Sequence, residues 1–170
     1  IGEPEFGGES AVDRDVHVFH TRQPVCQTDL LATFAQMLDA ELPNAAGEDS
    51  VSFLPAFKAE PIISTRNGII HHSISGHFAY RQSAWKLALA RGSGGWSAPR
   101  ENQMSADAPR GQLYNMETDP GETNNLYDTE PRIVNRLLHL LQADIKRGRS
   151  TEGTVSDNDI NDIVLWKSGP

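Results

Sequence analysis

The sequence predicts an α+β fold: a four-stranded antiparallel sheet packed on one side by a C-terminal helix and preceded by one further helix. Three observations carry this. From Ile62 onward, short runs alternate apolar and polar residues with period two, as half-buried strands do. The connections between the first three runs are short enough for antiparallel hairpins. Between Pro131 and Arg147, six apolar residues instead recur at helical spacing.

Residues 1–22 are polar and rich in Gly and Glu, with one alternating patch, Val16-His17-Val18-Phe19, that fits an edge strand. His17 and His20 have no partner at metal-ligand spacing. Thr28 is placed as an N-cap with Asp29 in the first turn, where a negative charge suits the helix dipole. Leu30, Leu31, Phe34, Met37 and Leu38 then share one face, which predicts a helix over 29–40 ended by Pro43-Asn44 and Gly47. Ser50–Phe57, with Pro55 inside it, fits a single helical turn or an extended connection.

The three successive strands are Ile69–Ser73, His77–Arg81 and Trp85–Leu89, turning at Ser75-Gly76 and Gln82-Ser83-Ala84. Residues 91–111, rich in Gly, Ser and Pro, form a long loop of the kind that is often functional. The fourth strand is Gln112–Met116. Asp119-Pro120-Gly121-Glu122 supplies a turn in which Pro fixes φ and Gly121 takes the positive φ after it. The last helix has Pro131 in its first turn, Lys146 and Arg147 against its C-terminal dipole, and Gly148 as its stop. Burying Ile133, Val134, Leu137, Leu138, Leu141 and Ile145 would contribute on the order of 10 kcal/mol before entropy is counted, which demands a sheet to lie against. Ile163-Val164-Leu165-Trp166 is expected to anchor the polar tail.

Composition bounds the function. The 170 residues carry a net charge of −8, which argues against a nucleic-acid partner, because phosphate binding needs a basic surface. The apolar runs fall far short of the roughly 18–20 residues that span a bilayer, so no membrane partner is expected. Hydrophobic content of 38% is low for a self-sufficient globule. Ile1 opens the chain without Met, and the first residues are not a signal sequence, so a fragment of a longer protein is expected. The single Cys26 excludes an internal disulfide and a multi-cysteine zinc site. Asp157-Asn158-Asp159-Ile160-Asn161-Asp162 has oxygens at alternating positions, but an EF-hand needs Gly where Asp162 stands and Glu where Ser168 stands; it reads as a solvated acidic turn.

Strings spread along the chain carry a family resemblance. Gln112–Leu126 resembles the "LYDL…DPGE…NL" string near the end of arylsulfatases. His71-His72-Ser73-Ile74-Ser75-Gly76, Phe78-Ala79-Tyr80-Arg81 and Trp85-Lys86-Leu87 are similar to their "HHSI-x-G-x-FA-x-R-x-x-x-WKL" strand pair. Thr28–Thr33 with Gly47–Pro55 looks like the last helix of the catalytic domain and the connection after it. Gly92–Ser97 and Arg149-Ser150-Thr151 fit the same group. The resemblance runs from about Val25 to Lys167. It implies that residues 1–60 are a remnant of an alkaline-phosphatase-like catalytic domain with a divergent N-terminal segment, and that 61–170 are the sulfatase C-terminal subdomain.

The resemblance implies hydrolysis of sulfate esters by a formylglycine made from a Cys/Ser-x-Pro-x-Arg motif, beside a Ca²⁺ held by Asp and Asn. Cys26 is followed by Gln27-Thr28-Asp29, so it is not that residue, and the Asp-Asp metal pair is missing. Formylglycine and Ca²⁺ are therefore expected in a catalytic domain outside this chain. No catalytic or metal-binding residue is assigned within it, and the partners implied are that domain and a sulfate ester substrate. The family's bacterial members are often exported, which favours a periplasmic or secreted location.

Within the chain, His71 and His72 sit on adjacent strand positions, so their side chains point to opposite faces, and His77 stands across the hairpin. An imidazole there can contact a sulfate oxygen or the leaving group. Trp96 can stack on an aromatic or sugar group, or plug its loop onto the sheet. These four are the candidate substrate-binding residues. Arg81, Trp85 and Lys86 read as packing and rim residues. Two functions remain open: a C-terminal sulfatase portion that shapes the substrate cleft and buttresses the catalytic domain, or a stand-alone, non-catalytic binding module. The apolar face of the first helix separates them, being exposed in the first case and covered by residues 1–22 in the second.

Overall fold

The computed structural model describes residues 21–167; Val16–Phe19, His17 and His20 lie outside that range. Four strands, β1 (Ile69–His72), β2 (Phe78–Gln82), β3 (Trp85–Ala88) and β4 (Gln112–Asn115), form one antiparallel meander in the order β1-β2-β3-β4. Helix α1 (Asp29–Met37) and a 3₁₀ turn at Leu54–Lys58 come before the sheet; helix α2 (Pro131–Arg147) follows it. The expected α+β class is the observed one.

Register explains the core. Ile70, Tyr80, Leu87 and Leu113 stand opposite one another across the four strands, and α2 lies over β2 and β3 on that face. Tyr80, Leu87, Leu89 and Leu113 meet Val134, Leu137 and Leu141, all fully or nearly fully buried. Leu165 and Trp166 close the edge of this core, as the tail pattern predicts. The Trp166 ring is covered by the Arg110 guanidinium at 4.2 Å and meets Tyr127 edge-on. Gly148 ends α2 in the left-handed conformation, φ 66°, where a Cβ would collide with the Ser156 carbonyl.

Three local expectations are corrected. Helix α1 stops at Met37, and Thr28 already has helical φ and ψ and makes no side-chain cap. Its hydroxyl instead lies 2.9 Å from the Cys26 thiol, while the Asp29 carboxylate accepts the Cys26 N–H at 2.8 Å. In the turn after β4, Glu122 rather than Gly121 takes the positive φ, 56°. Pro120-Gly121 sits inside an Asp119–Glu122 backbone hydrogen bond, and the left-handed step falls one residue later.

Helix α1 is seated by its polar side. Its apolar stripe points outward: Leu31 is 48% exposed, Phe34 54% and Leu38 78%. Its buried residues are Asp29 and Thr33. Asp29, 1% exposed, receives a two-pronged hydrogen bond from Arg66 (2.6 and 2.7 Å) and the Val51 N–H at 2.9 Å. The Thr33 hydroxyl accepts the Phe53 N–H. Polar bonds therefore seat α1 on the body and leave its apolar side free.

A second polar clasp joins residues 44–49 to the segment after α2. Arg149 donates to the Asn44 carbonyl and side-chain oxygen, Ser150 N–H to Asp49, and Thr151 N–H and hydroxyl to the Glu48 carbonyl. Ser156 also bonds Glu48.

Two buried carboxylates respond to acid in opposite ways. Burial alone would raise Asp29, but the Arg66 fork and the Val51 and Cys26 N–H groups more than reverse it, holding it below 3.8. Its contribution is present above pH 3.8 and is lost as pH falls through the depressed folded value. Asp144 is raised, chiefly by burial and further by Asp49, against the Tyr80 hydroxyl (2.8 Å) and Arg147. Its contribution is present below 3.8 and lost as pH rises through the folded value. Urea unfolding at neutral pH should therefore show Asp29→Asn destabilised by about 3 kcal/mol, because Arg66 is left buried and unpaired. Asp144→Asn keeps an acceptor for Tyr80 and should be neutral or stabilising there. As pH falls below about 4, wild-type stability should track the loss at Asp29, and Asp29→Asn should flatten that acid limb.

Candidate functional site: the open face of the sheet

The sheet face away from α2 is built from two side-chain rows. Ile69, Arg81, Lys86 and Tyr114 form one; His71, Ala79, Ala88 and Gln112 form the next. The two alanines, with Ala90 beyond them, leave a hollow of about 320 Å³ between the larger side chains. His71, Lys86, Gln112 and Glu122 ring it, and His77 with Gly92–Gly94 closes one end.

Each wall is fixed by its own bonds. Gln112 donates to the Ala90 and Gly92 carbonyls (2.9 and 2.6 Å) and accepts from the Tyr114 hydroxyl. The Glu101 carboxylate accepts the N–H groups of Arg91, Gly92 and Gly94, which gathers the Gly-rich loop into a compact turn. Gly94, φ 66°, runs so close to the β1–β2 hairpin that a Cβ would press on Ser73 and His77. His77 is buried, and its Nδ1 donates to the Leu89 carbonyl at 3.2 Å. Lys86 Nζ meets Glu122 Oε1 at 2.6 Å.

His71 and His72 do point to opposite faces. His71 faces the hollow; desolvation, then Lys86 and Arg81, lower its pKa against a smaller pull from Glu122, so it is a neutral imidazole at pH 7. The His72 ring lies edge-on to Phe78, 4.2 Å away, on the helix side of the sheet. Its pKa is lowered by desolvation and by Lys167. His72 borders the hollow as part of the β1 wall. Trp96 is not brought to this site: it is 77% exposed at the loop tip, so it does not plug its loop onto the sheet.

Gln112 and Glu122 are the wall residues that sequence reasoning missed. Strand parity could have placed Gln112 beside Ala88. Glu122 had no such signal, since its reach depends on the twist of the turn.

Among the described residues, no three His, Cys, Asp or Glu side chains converge to hold a metal ion. The residues present therefore do not fit the calcium–formylglycine centre that the resemblance implies.

No family model matches the chain. Over 117 residues it is 26% identical to an N-acetylgalactosamine-6-O-sulfatase of Bacteroides thetaiotaomicron, covering 69% of this chain and 22% of that protein. A solved structure from work on the metabolism of multiple glycosaminoglycans by the same organism aligns over 68% of this chain and 24% of its own, with a TM-score of 0.52 and 28% identity. Another solved structure from that organism, assigned to the sulfatases only provisionally, shares the fold over 72% of this chain and 25% of its own, with a TM-score of 0.51 and 19% identity. The chain thus spans about a quarter of the length of the relatives it matches. That share fits a C-terminal portion, and in both sequence and fold the chain is similar to these sulfatases.

Proposed function

We propose that this chain is the C-terminal portion of an arylsulfatase-like sulfuric ester hydrolase, and that it buttresses the catalytic domain and forms one wall of the substrate cleft. The boundary falls near residue 60: α1 and the 3₁₀ turn belong to the catalytic side, and the meander with α2 is the C-terminal subdomain. The observation that carries this reading is the outward apolar stripe of α1. Leu30, Leu31, Phe34, Met37 and Leu38 are all exposed, although such a stripe ordinarily lies against a core. A self-contained module would bury that stripe, whereas a piece of a larger body presents it to its partner.

The second support is chemical. The hollow gathers the neutral His71, the His77 ring and the Lys86 ammonium around a floor of alanines. Such a set can hold a saccharide by its hydroxyl groups and by a charged oxygen. Its part is to bind and orient, while bond breaking belongs to groups of the catalytic domain.

The 170-residue chain should therefore turn over 4-nitrophenyl sulfate no faster than buffer, and turnover above that background would refute the assignment. In a polypeptide that also contains the upstream catalytic portion, His71→Ala should lower kcat/KM on a sulfated galactosamine substrate about tenfold, the loss of one good hydrogen bond. An unchanged kcat/KM would remove His71 from the cleft.

A further inference from the structure

We propose that Lys86 reads a negatively charged substituent on the saccharide that enters the hollow, and that Glu122 is a built-in competitor holding the place of that substituent. This inference rests on the reading of the hollow as a substrate wall.

Three observations converge. First, Arg81 and Lys86 are direct cross-strand neighbours on the open face of a chain whose net charge is −8. Among the described residues, the Arg81 side chain makes no hydrogen bond or ion pair, and Lys86 meets one carboxylate, Glu122. Two cations therefore sit on this face with one carboxylate, Glu122, in contact with Lys86 and with Glu117 acting on Arg81 at longer range.

Second, Glu122 is delivered to Lys86 by an unfavourable backbone. Its φ of 56° is one that residues with a Cβ rarely adopt, and Gly121, beside it, is not the residue that adopts it. Asp119 maintains the turn by accepting the Thr123 N–H at 2.9 Å, the Thr123 hydroxyl at 2.9 Å and the Asn124 N–H at 2.8 Å. The outcome is a carboxylate reaching over the sheet to a lysine 36 positions earlier.

Third, the remaining groups around the hollow are committed or uncharged. Gln112 spends its amide on Ala90, Gly92 and Tyr114. His71 is neutral, and the floor is Ala79, Ala88 and Ala90. Lys86 is thus the cation on the hollow itself, and its partner oxygen lies where an incoming anionic oxygen would dock. Both side chains keep about a third of their surface exposed, 28% and 34%, so a ligand oxygen can replace the Glu122 oxygen without opening the core. An uncharged sugar has nothing to offer in exchange for the pair. A sulfated or carboxylated one does.

The test is a ¹H–¹⁵N NMR titration of the 170-residue chain with N-acetylgalactosamine 6-sulfate, glucuronic acid and uncharged N-acetylgalactosamine. The charged sugars should shift the Lys86, Gln112 and His71 signals at concentrations at least about fivefold lower than the uncharged one. Glu122→Gln should bind the charged sugars about tenfold tighter, with no change for the uncharged sugar. Lys86→Met should erase the preference, and Lys86→Arg should retain it. Response to the sulfated sugar alone would assign the site to sulfate esters, and response to both to acidic saccharides generally; either supports the inference.

Equal binding of the uncharged sugar, or unchanged or weaker binding of charged sugars by Glu122→Gln, would overturn the inference and leave the substrate wall standing. No shift at the hollow with any of the three sugars, in wild type or in Glu122→Gln, would overturn the substrate-wall reading itself. Glu122 is on the surface and its replacement is isosteric, so a dispersed spectrum is expected for that variant.

Discussion

The buried Asp29 carboxylate is the constraint on which the arrangement of this chain depends. A charge at 1% exposure is tolerated only when its oxygens are filled, and four donors fill them: both arms of Arg66 and the N–H groups of Cys26 and Val51. Those donors come from the residues before α1, from the connection after it and from the approach to β1. One carboxylate therefore fixes where α1 sits relative to the sheet. Because that seat is polar, the apolar stripe of the helix is left over for something else to cover. The clasp between residues 44–49 and 149–156 repeats the principle with Arg149 at its centre.

The sheet obeys the opposite logic. Tyr80, Leu87 and Leu113 carry no charge and are held by the apolar side of α2, with a single polar bond, Tyr80 to Asp144, inside the layer. Burial in that environment raises the Asp144 pKa, against the Tyr80 hydrogen bond and Arg147. The molecule thus has a conventional apolar core beneath α2 and a hydrogen-bonded shoulder at α1. The two respond differently to acid and to substitution, because one relies on transfer from water and the other on ionised partners.

The open face follows from the covered one. Strand residues alternate, so burying Tyr80, Leu87 and Leu113 obliges Arg81, Lys86 and their row to face outward. Small residues at Ala79 and Ala88 turn this outward face into a hollow instead of a flat surface. The Gly-rich loop, folded around Glu101, and the turn carrying Glu122 raise its rim. A binding wall in this position requires no departure from the packing of the sheet.

The sequence by itself determined the meander, its hairpins, α2 with its stop at Gly148, and the opposite facing of His71 and His72. Each follows from local periodicity or from a residue whose backbone choice is narrow. Periodicity also gave α1 an apolar stripe, but it could not say whether that stripe was buried, because burial depends on what else is present to pack against it. Only the tertiary structure decided that Asp29 would be an ion-pair node instead of a helix-dipole charge, since Arg66 lies 37 positions away. It alone decided that Glu122 would take the left-handed step and reach Lys86, and that Trp96 would stand apart from the histidines. Long-range pairing and loop twist set these outcomes, and neither is written in the spacing of residues along the chain.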